Sequence, residues 1–387
     1  MKKWKVLGFA SLMSLAAVAD GPKLTGMVTK QISWSDEDED MNHSSFSGSG
    51  DPAGFATWIN LSGTAGTKTL DVGYGLELGT ESTPVGSASR SGLITRQVYV
   101  TLGTANAGTF TVGQKWLFSA ARLLAIDPFN NSGARANANN NVTQWAGFDM
   151  LQSGIFTADG IEGFGLAHRA IQEQVSYTTK KFGGFQFDLA LDRNGGTSLA
   201  EKTALNTPNT GNVTAYTGTV AFDHKFSGGS KLGLTGVFGQ QDQVGVNADN
   251  TTRYWTAAAN LGIQSWNFAV GFSNKDRDVG TALEDSHEGT FVAASYNYNE
   301  WTLAATYNAL SVQDDTNKGR ALETSGSYSL LNLGAIYALN QNVSLTGALQ
   351  VASASLDGTG VDISVGTTGA QKENDVTSVL AGVTVKF

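Results

Sequence analysis

The end of the chain, residues 379–387, alternates strictly between two sets of side chains. One set is apolar and ends on an aromatic residue: Val379, Ala381, Val383, Val385 and Phe387. The residues between them include Gly382, Thr384 and Lys386. Successive side chains of a strand point to opposite faces, so this segment is predicted to be a strand with one apolar face.

Earlier segments alternate in the same way. From Leu70 to Leu78 the apolar residues are separated by acidic residues and glycines, and 185–192, 266–273 and 343–351 show the same period of two. A soluble sandwich also alternates, because one face packs on a core. These segments run over about ten to fifteen residues, which is longer than typical soluble strands and enough for a tilted membrane crossing. The pattern favours strands that lie between lipid and a wet interior.

The N-terminus has the pattern of a secretory signal peptide. Three lysines among the first five residues precede an apolar stretch at 6–16 and a small-x-small site at Ala17–Ala19. We predict a signal peptide at 1–19 and a single transmembrane β-barrel domain at 20–387. Cleavage turns 25 basic residues against 34 acidic ones into 22 against 34, a mature charge of −12. No later segment offers the roughly 18 consecutive apolar residues of a membrane-spanning helix.

Connections between the alternating segments are alternately short, as at 64–66 and 181–184, and long, as at 36–53 and 117–168. This is typical of outer-membrane barrels. We predict an all-β fold, a transmembrane antiparallel up-and-down β-barrel of about 16 strands. The predicted strands are roughly 24–35, 54–64, 67–79, 93–103, 108–116, 169–180, 184–194, 212–226, 231–239, 251–262, 265–275, 287–298, 301–312, 323–338, 342–355 and 375–387.

The first and last predicted strands are expected to pair with each other. Without that pairing, two open edges would expose unpaired N–H and C=O groups to lipid. Phe185, Trp266 and Trp301 each follow a short turn directly. Aromatic rings at such positions are typical of the belt that lies at a membrane–water interface.

Two stretches of the sequence resemble the general bacterial porin family of Gram-negative outer membranes. One is 96–103 followed by 108–113, an arginine-led strand, a short turn and a glycine–aromatic strand that ends in glycine. The other begins at Arg169, passes through Tyr177 and continues into Phe182-Gly183-Gly184-Phe185. Together with the signal peptide and the terminal phenylalanine, the resemblance covers essentially the whole mature chain.

The resemblance implies a homotrimer of barrels of about 16 strands, each with its own water-filled pore for small hydrophilic solutes and ions. It implies an outer-membrane protein that contacts lipid and lipopolysaccharide, without a cofactor and without enzymatic activity. The third external loop of the family folds into the lumen and narrows it. Here the insertion at 117–168 matches that loop in place and size.

The resemblance also suggests which residues line the constriction. The family sets acidic groups on the third loop against basic groups on the wall, and the field between them filters ions. On the wall, Arg96 matches the pore arginine, Arg169 is a second candidate and Lys115 is expected to face inward. On the loop, we favour Asp127 and Asp149.

The basic side of this constriction is weaker than in the family. Met27 stands where enterobacterial members carry a lysine on strand one, and Trp58, on the expected lumen face, stands where they carry an arginine on strand two. Together with the mature charge of −12, this predicts a preference for cations. The insertion at 117–168 also lacks the Pro-Glu-Phe-Gly-Gly run that is frequent in the family.

The alternation around Arg96 contains a conflict. If Arg96 points into the lumen, strict alternation turns Val98 and Val100 inward as well. Gln97 and Tyr99 would then point outward, an arrangement that a subunit interface tolerates better than lipid does.

The acidic run at 36–40 offers Asp36, Asp38 and Asp40 as weak candidates for holding a divalent ion or for bridging to lipopolysaccharide through one. It lacks the glycine and the spacing of an EF-hand, so a solvated loop tip is the simpler interpretation. The four histidines are scattered and form no recognisable metal-binding set.

Other functions are compatible with a barrel. A substrate-selective channel, for example for sugars, would use an aromatic track that Trp58, Trp116 and Trp145 could begin. An enzyme would need a nucleophile held beside a base, and the chain contains no G-x-S-x-G motif. A surface receptor would be expected to carry larger loops. Nucleic-acid binding is disfavoured by the negative charge.

Overall fold

A computed structural model shows the fold of the chain. It describes residues 22–37, 45–50, 57–66, 70–81, 92–104, 106–129, 171–192, 212–244, 249–279, 284–314, 324–358 and 373–387. These residues contain no helix that is long and apolar enough to span a membrane. The proposed signal peptide at 1–19 lies outside the described residues.

Almost all of the described chain is β-strand, with one short helix. The strands are β1 Lys23–Glu37, β2 Ser45–Gly50, β3 Trp58–Gly66, β4 Asp71–Glu81, β5 Gly92–Thr104, β6 Gly108–Trp116, β7 Ile171–Thr178, β8 Phe185–Asp192, β9 Asn212–Lys225, β10 Lys231–Val244, β11 Asp249–Ile263, β12 Trp266–Val279, β13 Glu284–Tyr298, β14 Trp301–Asp314, β15 Thr324–Ala338, β16 Val343–Gly358 and β17 Glu373–Lys386. The helix α1, Phe118–Leu124, follows β6.

The strands form one antiparallel sheet that closes on itself. Each strand from β3 to β17 pairs with the next along the chain, and β17 returns to pair with β1 from Met27↔Lys386 to Glu37↔Val376. Both β2 and β3 pair with β1, so together they fill one position of the barrel. The result is a closed barrel of sixteen strand positions, which confirms the predicted pairing of the first and last strands.

Side-chain exposure in the barrel is the reverse of that in a soluble protein. On β4, Leu76 on the outer face is 37% exposed, whereas its neighbour Glu77 on the inner face is 5% exposed. The same holds on β8, where Leu189 is exposed and Ala190 is buried. An outer surface of large exposed apolar side chains far exceeds the patches of a soluble monomer, so it requires lipid around it.

The ends of the strands beside the short turns carry paired aromatic rings. The centroids of Trp266 and Tyr296 lie 4.7 Å apart, and those of Trp301 and Tyr337 lie 4.6 Å apart. Phe185 packs against Phe222 in the same tilted way, with the ring centroids 4.7 Å apart. These rings lie at the short-turn ends of the strands, where the interfacial belt was predicted.

Some predicted connections are wrong. Residues 64–66 do not form a turn, because the ladder between β3 and β4 continues to Gly66↔Asp71. The long connection expected at 36–53 contains β2, whose serines and glycines are a weak strand signal. The connections expected at 240–250 and 276–286 are shorter, because their polar residues extend the hairpins β10–β11 and β12–β13.

The chain terminus seals the barrel at the side of the short turns. The backbone N–H of Gly26 donates to the Phe387 carbonyl at 2.8 Å, and the N–H of Phe387 donates to the Gly26 carbonyl at 3.1 Å. A Cβ atom at Gly26 would lie 2.4 Å from Cζ of Phe387, so only glycine leaves room for the ring there. The terminal aromatic residue is therefore packed onto the first strand.

Candidate functional site

A β-bulge on β5 brings Arg96 into the interior of the barrel. The register between β4 and β5 shifts between Glu77↔Gln97 and Leu78↔Thr95, which leaves Arg96 as the extra residue. A bulge of this kind interrupts the alternation and re-aims a side chain. Arg96 and Gln97 are consequently both buried.

The bulge removes the conflict that strict alternation creates. Val98 and Val100 are exposed on the outer face, whereas Gln97 is buried on the inner one. A Cβ atom at the inward-facing Gly75 would touch the Tyr99 ring, which places Tyr99 inside as well. The expectation that an inward Arg96 forces the two valines inward is wrong, because it assumed an unbroken period of two.

Arg96 lies in a buried network with Glu77. Its Nη1 is 3.0 Å from Oε1 of Glu77, and the two side chains are 3% and 6% exposed. Gln97 donates from Nε2 to the other carboxylate oxygen of Glu77 at 2.8 Å, and its Oε1 accepts from the backbone N–H of Trp116 at 3.2 Å. The guanidinium also lies 5.9 Å from the ring centroid of Trp116. The positive charge of Arg96 is thus balanced within the wall.

Lys115 and Trp58 lie on the inward parity of their strands, and their role at the constriction stays a prediction. The Nζ of Lys115 lies 4.7 Å from the ring centroid of the inward-facing Tyr99, and the side chain is half-buried. Trp58 has the parity of Asn60 and Ser62, opposite to the exposed Ile59. Its register partner is the buried Met27.

The insertion after β6 enters the barrel with the helix α1. Leu117, Ala120 and Leu124 form a buried cluster with Ala190, an inward-facing residue of β8, and Trp116 packs against this cluster. The apolar residues follow the spacing of one helical face. The helix therefore lies against the inner surface of the wall, and Trp116 is used in its packing.

Arg122 attaches this helix to the strands β9 and β10. Its Nη1 and Nη2 donate to the two carboxylate oxygens of Asp223 at 3.1 and 2.7 Å, and its Nε donates to Oγ1 of Thr235 at 3.0 Å. Lys181, in the turn before β8, also contacts Asp223, with Nζ 2.5 Å from Oδ2. A forked arginine–carboxylate contact fixes orientation as well as distance.

The segment then reaches the opposite side of the barrel. Phe129 is fully buried against Ala304, Ala348 and Leu380, which face inward from β14, β16 and β17. The described part of the insertion, 117–129, thus contacts inner-wall residues from β8 round to β17. The rest of the insertion, 130–168, lies outside the described residues, so the folding of the whole loop 117–168 into the lumen stays a prediction.

Asp127 lies on this inward segment but is turned into its own backbone. It is 3% exposed, and its Oδ1 accepts from the backbone N–H of Phe129 at 2.8 Å, which stabilises the turn. Of the predicted site residues, the structure brings Arg96, Lys115 and Trp58 to the inner wall and Asp127 onto the segment that crosses it. Arg169 and Asp149 lie outside the described residues.

Of the three predicted divalent-ion candidates, one lies among the described residues. Asp36 is the penultimate residue of β1, whereas Asp38 and Asp40 lie outside the described residues. A metal role for these carboxylates stays a prediction.

The partners of the two arginines were not predicted from the sequence. The inward parity of Glu77 is readable from the alternation of β4, but its proximity to Arg96 depends on the register across the bulge. The pairing of Arg122 with Asp223 joins residues 101 positions apart and had no sequence signal.

Comparison with known proteins finds the same closed barrel. A family model described as a Gram-negative porin matches residues 6–358. The chain belongs to the Gram-negative porin family. It is a general diffusion channel of the Gram-negative outer membrane and not an enzyme.

Solved porin structures share this fold at low sequence identity. An anion-selective porin from Comamonas acidovorans is 16% identical, with a TM-score of 0.66 over 96% of this chain and 100% of that one. OmpT of Vibrio cholerae, as expressed in the outer membrane, is 14% identical with a TM-score of 0.58, over 95% and 97%. OmpF of Salmonella typhi, in complex with daunomycin, is 14% identical with a TM-score of 0.57, over 95% and 97%. No curated protein sequence matches the chain significantly.

The buried pair in this porin predicts a large effect of removing one charge. Glu77→Gln keeps the shape of the side chain but leaves the guanidinium of Arg96 buried without its counter-charge. We expect a loss of about 3–5 kcal/mol in the free energy of unfolding, measured by urea titration in detergent micelles. Asp71→Asn, at an exposed acid of the same strand, should change it by less than about 0.5 kcal/mol. Equal effects of the two substitutions would contradict the network.

Proposed function

We propose that this porin passes small hydrophilic solutes and prefers cations over anions. The observation that carries the ion preference is that two inward-facing arginines are matched by carboxylates of the wall. Arg96 lies 3.0 Å from Glu77, and Arg122 donates two hydrogen bonds to Asp223. Their positive charge is therefore compensated locally and attracts anions only weakly.

The same geometry supports a division of roles at the constriction. Arg96, Lys115 and Trp58 form its wall side, and Asp127 holds the shape of the segment that narrows it. Lys115 is the wall cation of this set without a carboxylate at hydrogen-bond distance among the described contacts. Roles for Arg169 and Asp149 at the constriction are proposed from the family resemblance alone.

A pore that passes many different solutes is favoured over a channel that binds one substrate. The inward-facing residues of the described wall include small neutral polar side chains, such as Thr217 and Gln350, and the inward aromatic residues Tyr254 and Phe291 are buried rather than lined up along the pore. Trp116, one of three tryptophans that suggested a sugar track, is taken up in packing against the helix α1. A non-selective hydrophilic lumen is therefore the simpler proposal.

Ion preference is tested by the reversal potential of single channels in a planar bilayer under a KCl gradient. We expect a K⁺/Cl⁻ permeability ratio above one, because compensated arginines leave the negative charge of the chain to act on the pore. A ratio below one would contradict the cation preference.

The role of Arg96 is tested in the same measurement with Arg96→Gln. Removal of the positive charge of Arg96 leaves Glu77 without its counter-charge, so the K⁺/Cl⁻ permeability ratio should rise further. The matched control is Arg253→Ala, at an exposed residue of β11 on the outward parity. An unchanged ratio for Arg96→Gln would count against a place for Arg96 at the constriction.

We propose further that the porin is a homotrimer. One OmpT structure of Vibrio cholerae is titled as a trimer form. In this chain, Lys30 lies in the middle of β1 on the parity of the outward-facing Val28. A charged residue on this face is tolerated better at a subunit contact than against lipid. Sedimentation in detergent should give three times the mass of one mature chain, and the mass of a single chain would contradict the proposal.

A further inference from the structure

Charged residues are distributed unequally between the two ends of the barrel. The outer end is the one with the long connection after β6, and the inner end is the one with the short turns. Among the three described residues of each strand nearest its outer end, the basic residues are Lys115 and Arg277. Within the same limit, the acidic residues are Asp36, Glu37, Glu81, Glu173, Asp192, Asp242, Asp249, Asp278, Glu284, Asp285, Asp314, Asp357, Glu373 and Asp375.

The inner end has the opposite balance. Among the three residues of each strand nearest its inner end and in the described turns, the acidic residues are Asp71, Asp223 and Glu300. The basic residues there are Lys23, Lys180, Lys181, Lys225, Lys231 and Lys386, and all of them are exposed.

Four of these lysines share the parity of the lumen-facing side chains. Lys225 is two residues beyond the inward-facing Asp223, and Lys231 is its register partner across the turn. Lys386 is the register partner of Met27, and Lys23 has the same parity as Met27 on β1. Their charges therefore lie around the inner mouth of the pore rather than on the lipid-facing surface.

The acid nearest to this group is already compensated. Asp223 accepts from Arg122 at 3.1 and 2.7 Å and lies 2.5 Å from Lys181. Lys225, Lys231 and Lys386 therefore give the inner mouth a positive charge. Among the described residues at the outer strand ends, acidic residues outnumber basic ones, so their summed formal charge is negative.

We propose that the pore is electrically polarised along its axis and conducts ions better in one direction of voltage than in the other. The proposal rests on the channel function but not on the cation preference. Each mouth concentrates the ion of opposite sign, because charges around a low-dielectric opening focus the field. The outer mouth gathers cations and the inner mouth gathers anions.

The direction of the asymmetry follows from this arrangement. When the outer side is positive, cations enter from the mouth that concentrates them and anions enter from the other, so both carriers fill the pore. When the outer side is negative, each carrier must enter through the mouth that repels it. Conductance is therefore higher with the outer side positive.

The test is the current–voltage curve of single channels in symmetric KCl. At 0.1 M, where the Debye length is about 10 Å, we expect a conductance ratio on the order of 1.5 between the two polarities. At 1 M, where the Debye length is about 3 Å, the ratio should approach one. Because the chain has no cysteine, Ser227→Cys in an inner turn can report orientation, since a bulky thiol reagent blocks current only from the chamber that this turn faces.

Variants assign the effect to the inner lysines. At 0.1 M, Lys225→Gln/Lys231→Gln should bring the conductance ratio between the two polarities roughly halfway towards one. The conductance at 1 M should stay the same. The matched control is Lys275→Gln, in the outer half of β12, which removes a positive charge from the outer half of the pore wall and should leave the ratio unchanged or higher.

Ohmic current at 0.1 M, asymmetry of the opposite sign, or an unchanged ratio in the double variant would overturn the proposal. Each of these results would come from a working channel, so the channel function would stand. A barrel that does not conduct at all would overturn both. An anion-preferring reversal potential would contradict the cation preference alone.

Discussion

The need of every backbone N–H and C=O group for a partner inside lipid determines the rest of this structure. A strand pairs only with its neighbours, so a sheet in a bilayer must have no free edge. The ladder from Met27↔Lys386 to Glu37↔Val376 removes the last two edges, and the reciprocal hydrogen bonds of Gly26 and Phe387 complete it at the inner rim. The terminal aromatic residue thus serves closure directly, because its ring covers Gly26.

Closure assigns opposite tasks to the two faces of the wall. The outer face carries the apolar side chains, and the inner face is free to hold polar groups that lipid would not tolerate. This is where the pairs Arg96–Glu77 and Arg122–Asp223 lie. The Arg96–Glu77 pair lies in the wall beside the helix α1. The Arg122–Asp223 pair and the contact of Arg122 with Thr235 fix that helix to the strands β9 and β10. Both pairs position the lumen segment, and each sets a carboxylate of the wall beside an arginine.

Local features of the sequence predicted most of the fold. The alternation of Leu76 and Glu77 gave the faces of β4, and the small residues before Phe185 and Trp266 marked turns. Features that depend on register could not be predicted. The bulge at Arg96 is defined against β4, the split of one strand position into β2 and β3 is defined against β1, and Arg122 meets Asp223 only after the barrel has closed. Sequence alternation is a local property, whereas these contacts arise from pairing between distant segments.

Closure by the first and last strands is tested most directly by a cysteine pair at Val28 and Val385. These residues are register partners, both are exposed on the outer face, and the chain has no cysteine of its own. Paired strand residues have the Cα separation that a disulfide needs. Mild oxidation of the folded Val28→Cys/Val385→Cys variant should remove both free thiols and join the strands, as measured by thiol titration and intact mass. A control pair at Val28 and Val351, which β17 separates, should remain reduced. Free thiols in the first variant, or equal oxidation of both, would contradict a barrel closed between β1 and β17.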